Sequence, residues 1–343
     1  MKTIQIRSPL CDMIGIKYPI IQAGMGPFDT TRLAVAVSEA GALGTVSSPT
    51  HVMVGGPKEL SKNMREHIRW VADHTDKVFA ANTSISEIPD IAHLFTSIID
   101  GVIEEREKDA RLKKQLRVYI TSGGNPSQVA ERIRKAGLIH FHVVGSVRHA
   151  KKVEEAGLDG VIASGYEMGG HTHRADRPVH TFVLLPSVAK AVKIPVIASG
   201  GICDGMGLAA AFALGAEGIQ MGTRFIATKE NHWHENYKKS IVAAGEWSDT
   251  VCPGILGPCR VLHTGAVETI TRWYREGRPG EEIRIEENDL MRLAERDGDM
   301  EMGMALAGQV MSRIDDILSV KEVIDSTVEE ALRVTRELQE KIQ

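Results

Sequence analysis

The sequence has few cysteines, no excess of basic residues and no long apolar run. Its 343 residues include four cysteines, too few and too scattered for a disulfide framework in a chain of this length. The net charge of −4 provides no basic field for nucleic acid. No apolar run approaches the roughly 20 residues that span a bilayer, and the N-terminal stretch lacks the apolar core of a signal peptide. We therefore expect a cytoplasmic protein that binds neither nucleic acid nor membrane.

Short apolar runs alternate with helical stretches along most of the chain. Three helical stretches close on Ala-Gly, at Gly41, Gly137 and Gly157, where glycine adopts the left-handed conformation at little cost. The apolar runs are continuous, which is typical of parallel strands buried on both faces. The predicted strands cover residues 19–24, 42–47, 78–84, 118–123, 141–146, 160–165, 195–200 and 218–223.

Eight strand-then-helix units predict an α/β fold of the (β/α)8 TIM-barrel type, which typically needs about 250 residues. An open doubly wound sheet is the alternative, but it carries one phosphate loop after its first strand, whereas glycine-rich turns recur here. We expect the barrel over residues 10–229, with a charged, solvated helical insertion at 86–116. We expect residues 230–343 to form a C-terminal helical extension that packs on the barrel, or that docks on a second subunit.

Ligands of such barrels bind at the carboxyl ends of the strands. The seventh and eighth predicted strands end in Gly200-Gly201 and Gly222-Thr223, and glycine-rich turns at helix starts bind phosphate. Small or polar residues at the other strand ends suit a flat ring. Together these features favour a phosphorylated flat cofactor, and FMN fits best. The further candidate contacts are Ala23, Gly24, Met25, Asn82, Thr83, Ser122 and Gly123.

The stretch GYEMGGHTHR follows the sixth predicted strand and contains Gly169, Gly170 and His171. The glycines let the backbone approach a cofactor and place the histidine over it. An imidazole with a pKa near 6.5 can exchange a proton at neutral pH. His171 and His173 could instead bind a metal, as could the pair at 232 and 234, but neither pair has a third ligand at a recognisable spacing. We therefore expect no metal.

Several longer segments resemble the nitronate monooxygenase (2-nitropropane dioxygenase) family of FMN-dependent barrels. That family also includes NADH:quinone reductases and flavin enoyl-ACP reductases. The resemblance runs over nearly the whole chain, from near residue 10 to near residue 325. The segments that carry it are YPIIQAGM, VRHAKKVEEAGLDGVIASGYEMGGH, IPVIASGGICDGMGLAAAFALGAEGIQMGTRF and GDMEMGMALAGQV.

The resemblance implies that His171 is the active-site histidine, which acts as a base or positions substrate above the flavin. It also implies flavin contacts close to the first, third and sixth strands, and phosphate contacts after the seventh and eighth. The residues implied in this way are Ala23, Gly24, Met25, Asn82, Thr83, Ser164, Met168, Ser199, Gly200, Gly201, Gly222 and Thr223.

The function expected first is that of an FMN-dependent nitronate monooxygenase, which oxidises alkyl nitronates or nitroalkanes with O2 to carbonyl compounds and nitrite. An NAD(P)H-dependent quinone reductase, an enoyl-ACP reductase and a barrel that binds a phosphorylated metabolite without redox chemistry remain alternatives. Two departures from the family bear on the substrate. Val143 follows His142 where quinone-reductase relatives have a lysine, and His173 and Arg174 lie in a longer, more basic turn.

Overall fold

Eight parallel strands surround the centre of the molecule, and each coincides with one predicted apolar run. The computed structural model describes residues 6, 8–48, 56–173 and 176–342, so Arg174 lies outside the described residues. Strands are numbered in chain order, and β7 (Gly170–His171) is short and lies outside the barrel. The barrel strands are β1 (Ile20–Gln22), β2 (Gly44–Ser47), β3 (Phe79–Ser84), β4 (Leu116–Ser122), β5 (Ile139–Val144), β6 (Gly160–Ser164), β8 (Val196–Ser199) and β9 (Gly218–Met221).

The eight strands close into a barrel. Their hydrogen-bonded order is β1-β9-β8-β6-β5-β4-β3-β2, and every pair is parallel. A parallel bridge between Ile21 and Leu43 joins the two ends of this order. There the Gln22 amide donates to the Leu43 carbonyl and the Leu43 amide to the Ile20 carbonyl, each at 2.9 Å. The predicted (β/α)8 barrel is confirmed.

Apolar side chains fill the barrel interior. Ile21, Ile120, Phe141 and Ile162 point inward from their strands and are fully buried. A short helix, α1 (Pro9–Ile14), contributes Leu10 and Ile14 to the same cluster. The interior is therefore a packed core, and the polar residues that face inward lie at the carboxyl ends of the strands.

Helices follow the barrel strands as predicted. The three Ala-Gly helix ends are confirmed, because Gly41, Gly137 and Gly157 have φ values of +90°, +70° and +74°. These are left-handed conformations that other residues adopt only with strain. The helices of this part are α2 (Thr31–Glu39), α3 (Gly56–His74), α4 (Pro89–Lys108), α5 (Ala110–Gln115), α6 (Ser127–Lys135), α7 (Val147–Glu155), α8 (Thr181–Ala191) and α9 (Gly205–Ala213).

Residues 86–116 are not the solvated insertion that their charge suggested. They form α4 and α5, the connection between β3 and β4, and α4 packs against α3. Phe95, Ile98 and Val102 of α4 are buried. Even the charged end is anchored, since the buried Arg106 donates from Nε to the Leu116 carbonyl at 2.9 Å. The segment therefore supplies the third helix of the barrel.

The chain leaves the barrel after β9 and returns to it at the end. The last helix lies against α9 and α2, where the eighth barrel helix belongs, and its Glu330 carboxylate accepts from the Gly205 amide at 2.9 Å. The barrel thus extends beyond residue 229 to include that helix. The elements after β9 are α10 (Thr223–Ile226), α11 (Glu235–Val242), β10 (Asp249–Cys252), β11 (Cys259–Leu262), α12 (Gly265–Arg275), α13 (Gly280–Arg292) and α14 (Val320–Lys341).

The excursion between α10 and α14 is called the cap below. It covers residues 227–319 and has its own apolar core, which includes Trp233, Tyr237 and Ile270. Its strands β10 and β11 pair antiparallel, and β11 also pairs with β7. The cap is thereby tied to the loop that follows β6. Among the described residues, no helix is long and apolar enough to cross a membrane.

Candidate functional site

A cavity of about 760 Å³ lies at the carboxyl ends of the barrel strands, between the barrel and the cap. Its volume is in the range of about 300–1,000 Å³ that is typical of small-molecule and cofactor sites. The structure brings together every predicted site residue except Thr83. Those that line the cavity are Ala23, Gly24, Met25, Asn82, Ser122, Gly123, Ser164, Met168, Gly169, Gly170, His171, Ser199, Gly200, Gly201, Gly222 and Thr223.

Thr83 lies on the opposite face of its strand, so its side chain does not line the cavity. Successive side chains of a strand point to opposite faces, and Asn82 already faces the cavity. The Thr83 hydroxyl instead hydrogen-bonds the hydroxyl of Tyr119 at 2.8 Å, under the helices. Both residues are fully buried there.

The loop after β8 is shaped for a ligand that approaches backbone. Gly200 and Gly201 have φ values of +84° and +76°. A Cβ atom at Gly200 would lie 2.7 Å from the Gly165 carbonyl oxygen, too close for any other residue. Within the described part of the chain, the amides of these two glycines donate to no acceptor. Free backbone N–H groups of this kind bind phosphate oxygens.

The loop after β9 completes the phosphate cradle. Gly222 precedes α10, which begins at Thr223, so the first N–H groups of this short helix face the cavity. The Thr223 hydroxyl accepts from the Gly308 amide at 2.9 Å. Gly308 was not predicted as a site residue, although it lies in the family-like segment GDMEMGMALAGQV. It brings the cap into contact with the phosphate cradle.

The floor of the cavity suits a flat ring with polar edges. A Cβ atom at Gly24 would collide with the Asn82 side chain, so only glycine fits at this position of the floor. Gln220, which was not predicted, faces the cavity from β9. Its Oε1 accepts from the Ser199 hydroxyl at 3.3 Å, and its buried Nε2 has no partner among the described residues. An unpaired buried donor is costly unless a ligand accepts from it. The carbonyl edge of a flavin ring would satisfy it.

His171 is held above this floor by the cap. It belongs to β7, and it pairs with Cys259 of β11 while Gly170 pairs with Arg260. The Thr172 amide donates to the Pro258 carbonyl at 2.7 Å. The position of the imidazole is therefore fixed by a small sheet, which pairs residues nearly ninety positions apart in the chain.

The His171 ring is suited to accept a proton. It is half-buried, and its Nε2 atom is shielded and has no hydrogen-bond partner in the described residues. Burial lowers the pKa of His171 to about 4. The ring is therefore neutral at neutral pH, and one of its two nitrogens carries a lone pair.

His173 and Glu167 line the cavity, and their polar atoms support the loop. The His173 Nε2 donates to the Ser164 carbonyl at 2.9 Å, and its ring occupies the space above Gly145. The Glu167 carboxylate accepts from the amide and the hydroxyl of Thr181, each at 3.1 Å. In the ranges that the structure describes, no group of three histidine, cysteine or carboxylate side chains is arranged to hold a metal.

Val143 faces the cavity, at the position where quinone-reductase relatives have a lysine. The cationic side chains that line the cavity come from elsewhere, with Lys152 on α7 and Arg284 on α13. His149 of α7 also lines the cavity. The cationic side chains thus come from helices and not from the strand ends that form the floor.

The outer wall of the cavity is formed by the cap. Ile255, Leu256, Glu287 and Met291 line it. None of these was predicted as a site residue. One signal was present: Glu287 interrupts the apolar stripe that Ile283, Leu290 and Met291 form on α13. Only the fold shows that this stripe reaches the cavity.

Comparison with known proteins places the chain in a family. A family model described as nitronate monooxygenase matches residues 7–330. A (3aS,4S,5R,7aS)-5-hydroxy-7a-methyl-1-oxo-octahydro-1H-indene-4-carboxyl-CoA dehydrogenase from Rhodococcus jostii is 30% identical over an alignment of 366 positions that covers 96% of each chain. A probable nitronate monooxygenase from Staphylococcus aureus is 30% identical over 333 residues, covering 88% of this chain and 91% of the relative.

Solved structures show the same likeness. FabK from Thermotoga maritima superposes with a TM-score of 0.85 at 35% identity, over 98% of this chain and 99% of that chain. A nitroalkane oxidase from Streptomyces ansochromogenes has a TM-score of 0.79 at 24% identity, over 96% and 99% of the two chains, and shares the fold. The chain is therefore a member of the nitronate monooxygenase family, an enzyme among flavin-dependent oxidoreductases.

Proposed function

We propose that this protein is an FMN-dependent nitronate monooxygenase that oxidises alkyl nitronates and nitroalkanes with O2 to carbonyl compounds and nitrite. One observation carries the proposal: a half-buried histidine that is neutral at neutral pH lines a cavity whose floor fits a phosphorylated flavin. Abstraction of a proton from the carbon beside a nitro group requires a base of this kind.

Different residues of the chain would bind the cofactor and act on the substrate. Gly200, Gly201 and Thr223 would hold the phosphate of FMN through backbone N–H groups, and Gln220 would donate to its ring. Bound FMN would supply the two-electron redox chemistry. His171 would take the carbon proton of a neutral nitroalkane, and the ring protonated in this way would donate to the oxygens of the nitronate formed. The cap would exclude bulk water from this chemistry.

The proposal is tested by anaerobic reduction of the purified flavoprotein. Propyl-2-nitronate is expected to bleach the flavin absorbance, whereas NADH and NADPH are expected to leave it unchanged on the same time scale. After admission of O2, nitrite and acetone should appear. Rapid bleaching by NADH with no response to the nitronate would overturn the proposal in favour of a reductase.

A thioester oxidoreductase is the second candidate. The observation that favours it is that two cationic side chains, Lys152 and Arg284, line the cavity. Such side chains suit the phosphates of an acyl-CoA or acyl carrier. The dehydrogenase relative from Rhodococcus jostii is named for a CoA thioester. In the anaerobic experiment, oxidation of NAD(P)H that depends on crotonyl-CoA would support this candidate, in which NAD(P)H is the reductant.

We also propose a cytoplasmic reaction with small-molecule partners only. All four cysteines are free thiols, and each is buried. Free thiols persist in reducing compartments. Substrate and O2 are the partners that the proposed reaction needs.

A further inference from the structure

The outer wall of the cavity contains a carboxyl group that the proposed mechanism does not use. Glu287 lies in the middle of α13 and is only 2% exposed. It lines the cavity together with Ile255 and Met291, which are apolar. A carboxyl group in such surroundings is rare unless it has a partner.

The two oxygens of Glu287 differ. Oε2 accepts a hydrogen bond from the Ile255 amide at 3.0 Å. Oε1 is shielded from bulk water and has no hydrogen-bond partner among the described residues. Because the amide already donates to Oε2, a proton on this carboxyl belongs on Oε1. Oε1 is then an unused donor on a side chain that lines the cavity.

Glu287 forms no ion pair with any residue that the structure describes. Three titratable groups of the cap interact with it: Cys252 of β10, Cys259 of β11 and Tyr274 of α12. Burial raises the pKa of Cys252 to about 11 and that of Tyr274 to about 12, and it holds the pKa of Cys259 well above its usual range, so all three are uncharged. On its own helix, Arg284 is paired with Glu281 at 3.9 Å. Burial consequently raises the pKa of Glu287 to about 7.

We propose that Glu287 determines the charge of the substrate that this cavity accepts. In its protonated form, Oε1 donates a hydrogen bond to an anionic oxygen of the substrate. In its ionised form, the carboxylate repels an anion and favours a neutral ligand. This inference rests on the proposed function, because it places the substrate of that function between His171 and the wall of the cap.

Binding of a matched pair of unreactive ligands tests the inference. The anion 2-methylpropanoate presents two planar oxygens, as a nitronate does, and 2-methylpropanamide is its neutral isostere. Dissociation constants are measured from the change in flavin absorbance of the flavin-loaded protein between pH 5.5 and 8.5. For the wild type, the affinity for the anion should fall at least about tenfold over this range. The affinity for the amide should not change.

Glu287→Gln keeps the shape of the side chain and removes its titration, so the affinity for the anion should become independent of pH. Glu282→Gln is the matched control, because Glu282 lies on the same helix, is exposed and pairs with Arg278. It should retain the wild-type pH dependence. A flat wild-type profile, absence of anion binding at every pH, or an unchanged profile in Glu287→Gln would each overturn the proposal.

A second measurement does not depend on that variant. Infrared difference spectroscopy of the wild-type protein should show a protonated carboxyl band that shifts when 2-methylpropanoate binds, and an unshifted band would contradict the proposal. Neither ligand is oxidised, so binding is read without turnover. A protein that shows the predicted pH dependence yet leaves nitronates untouched would overturn the proposed function alone.

Discussion

The two walls of the cavity differ in the groups that line them. The inner wall is lined by glycines at the ends of β1, β8 and β9, and Gly200 and Gly201 have left-handed conformations. The outer wall is lined by side chains, including Glu287 and Met291 from a helix of the cap. His171 stands between them, on a loop whose position the cap fixes.

This difference separates the tasks of the two walls. Backbone N–H groups at strand ends recognise a phosphate whatever the rest of the ligand is, so the inner wall suits a cofactor. Side chains that differ in charge and shape discriminate among ligands, so the outer wall suits a substrate. If this division is correct, changes in the inner wall should affect the flavin content, and changes in the outer wall should affect turnover per bound flavin.

His171→Ala should have the largest effect on turnover. Removal of the base should lower kcat/KM for neutral nitroalkane by about 10²–10⁴-fold while flavin content remains that of the wild type. Stopped-flow reduction and the flavin-to-protein ratio measure the two quantities. His149→Ala removes a histidine at the edge of the same cavity and should change neither. Loss of flavin with unchanged activity per bound flavin would contradict the role of His171.

Arg260→Met should detach the cap from the β6 loop. The buried Arg260 forms an ion pair with Asp249 and donates to the Tyr166 carbonyl at 3.0 Å. Loss of the arginine leaves the Asp249 carboxylate buried and unpaired, at a cost of about 3–5 kcal/mol in the free energy of unfolding. Urea unfolding gives this value, and turnover should fall because β11 positions His171.

Two variants serve as controls for that prediction. Addition of Asp249→Leu to Arg260→Met should restore most of the stability, because no buried charge is left unpaired. Arg333→Met removes an arginine from an exposed pair with Glu337 and should leave the unfolding midpoint close to that of the wild type. An equal loss in both single variants would show that the buried pair is unimportant.

Gly200→Ala and Gly157→Ala test the inner wall as a pair. Both glycines have left-handed φ values, so alanine should cost about 1–2 kcal/mol at either site. A Cβ atom at Gly157 meets nothing within 4 Å, whereas one at Gly200 meets the Gly165 carbonyl at 2.7 Å. Only Gly200→Ala should therefore lower the flavin-to-protein ratio. Equal flavin content in the two variants would count against the phosphate cradle.

Acid should weaken the barrel beneath the site. His140 and His142 both hydrogen-bond the Thr121 hydroxyl at 2.8 Å, and burial lowers the pKa of each to about 3. Below pH 6.5 the unfolded chain binds protons that the folded chain does not, so the free energy of unfolding falls as the pH falls toward 3. Each histidine should contribute about 1.4 kcal/mol per pH unit in this window.

Urea unfolding at pH 7.5, 6.5 and 5.5 measures that slope. His140→Gln should reduce the slope between pH 6.5 and 5.5 by the contribution of one histidine. His74→Gln is the control, because His74 is exposed on α3 and lies outside the buried pair. A slope that His140→Gln does not reduce would show that His140 is protonated in the folded protein.

Much of the barrel could be predicted from the sequence, because each strand is a continuous apolar run and three helices end in Ala-Gly. Two expectations differ from the structure for physical reasons. Asn82 and Thr83 are neighbours on one strand, so their side chains point to opposite faces and only that of Asn82 lines the cavity. Residues 86–116 looked solvated because their charges cluster at one end, while the apolar face of α4 becomes apparent only against α3.

The glycine spacing therefore determined the fold and the cofactor side of the site. Left-handed turns and free amides follow from local sequence, since only glycine tolerates the backbone that they need. Tertiary structure alone decided the substrate side. Glu287 reaches the cavity, and His171 is held over it, through contacts between segments nearly ninety or more residues apart. No local pattern encodes such contacts, because they depend on how the cap packs as a whole.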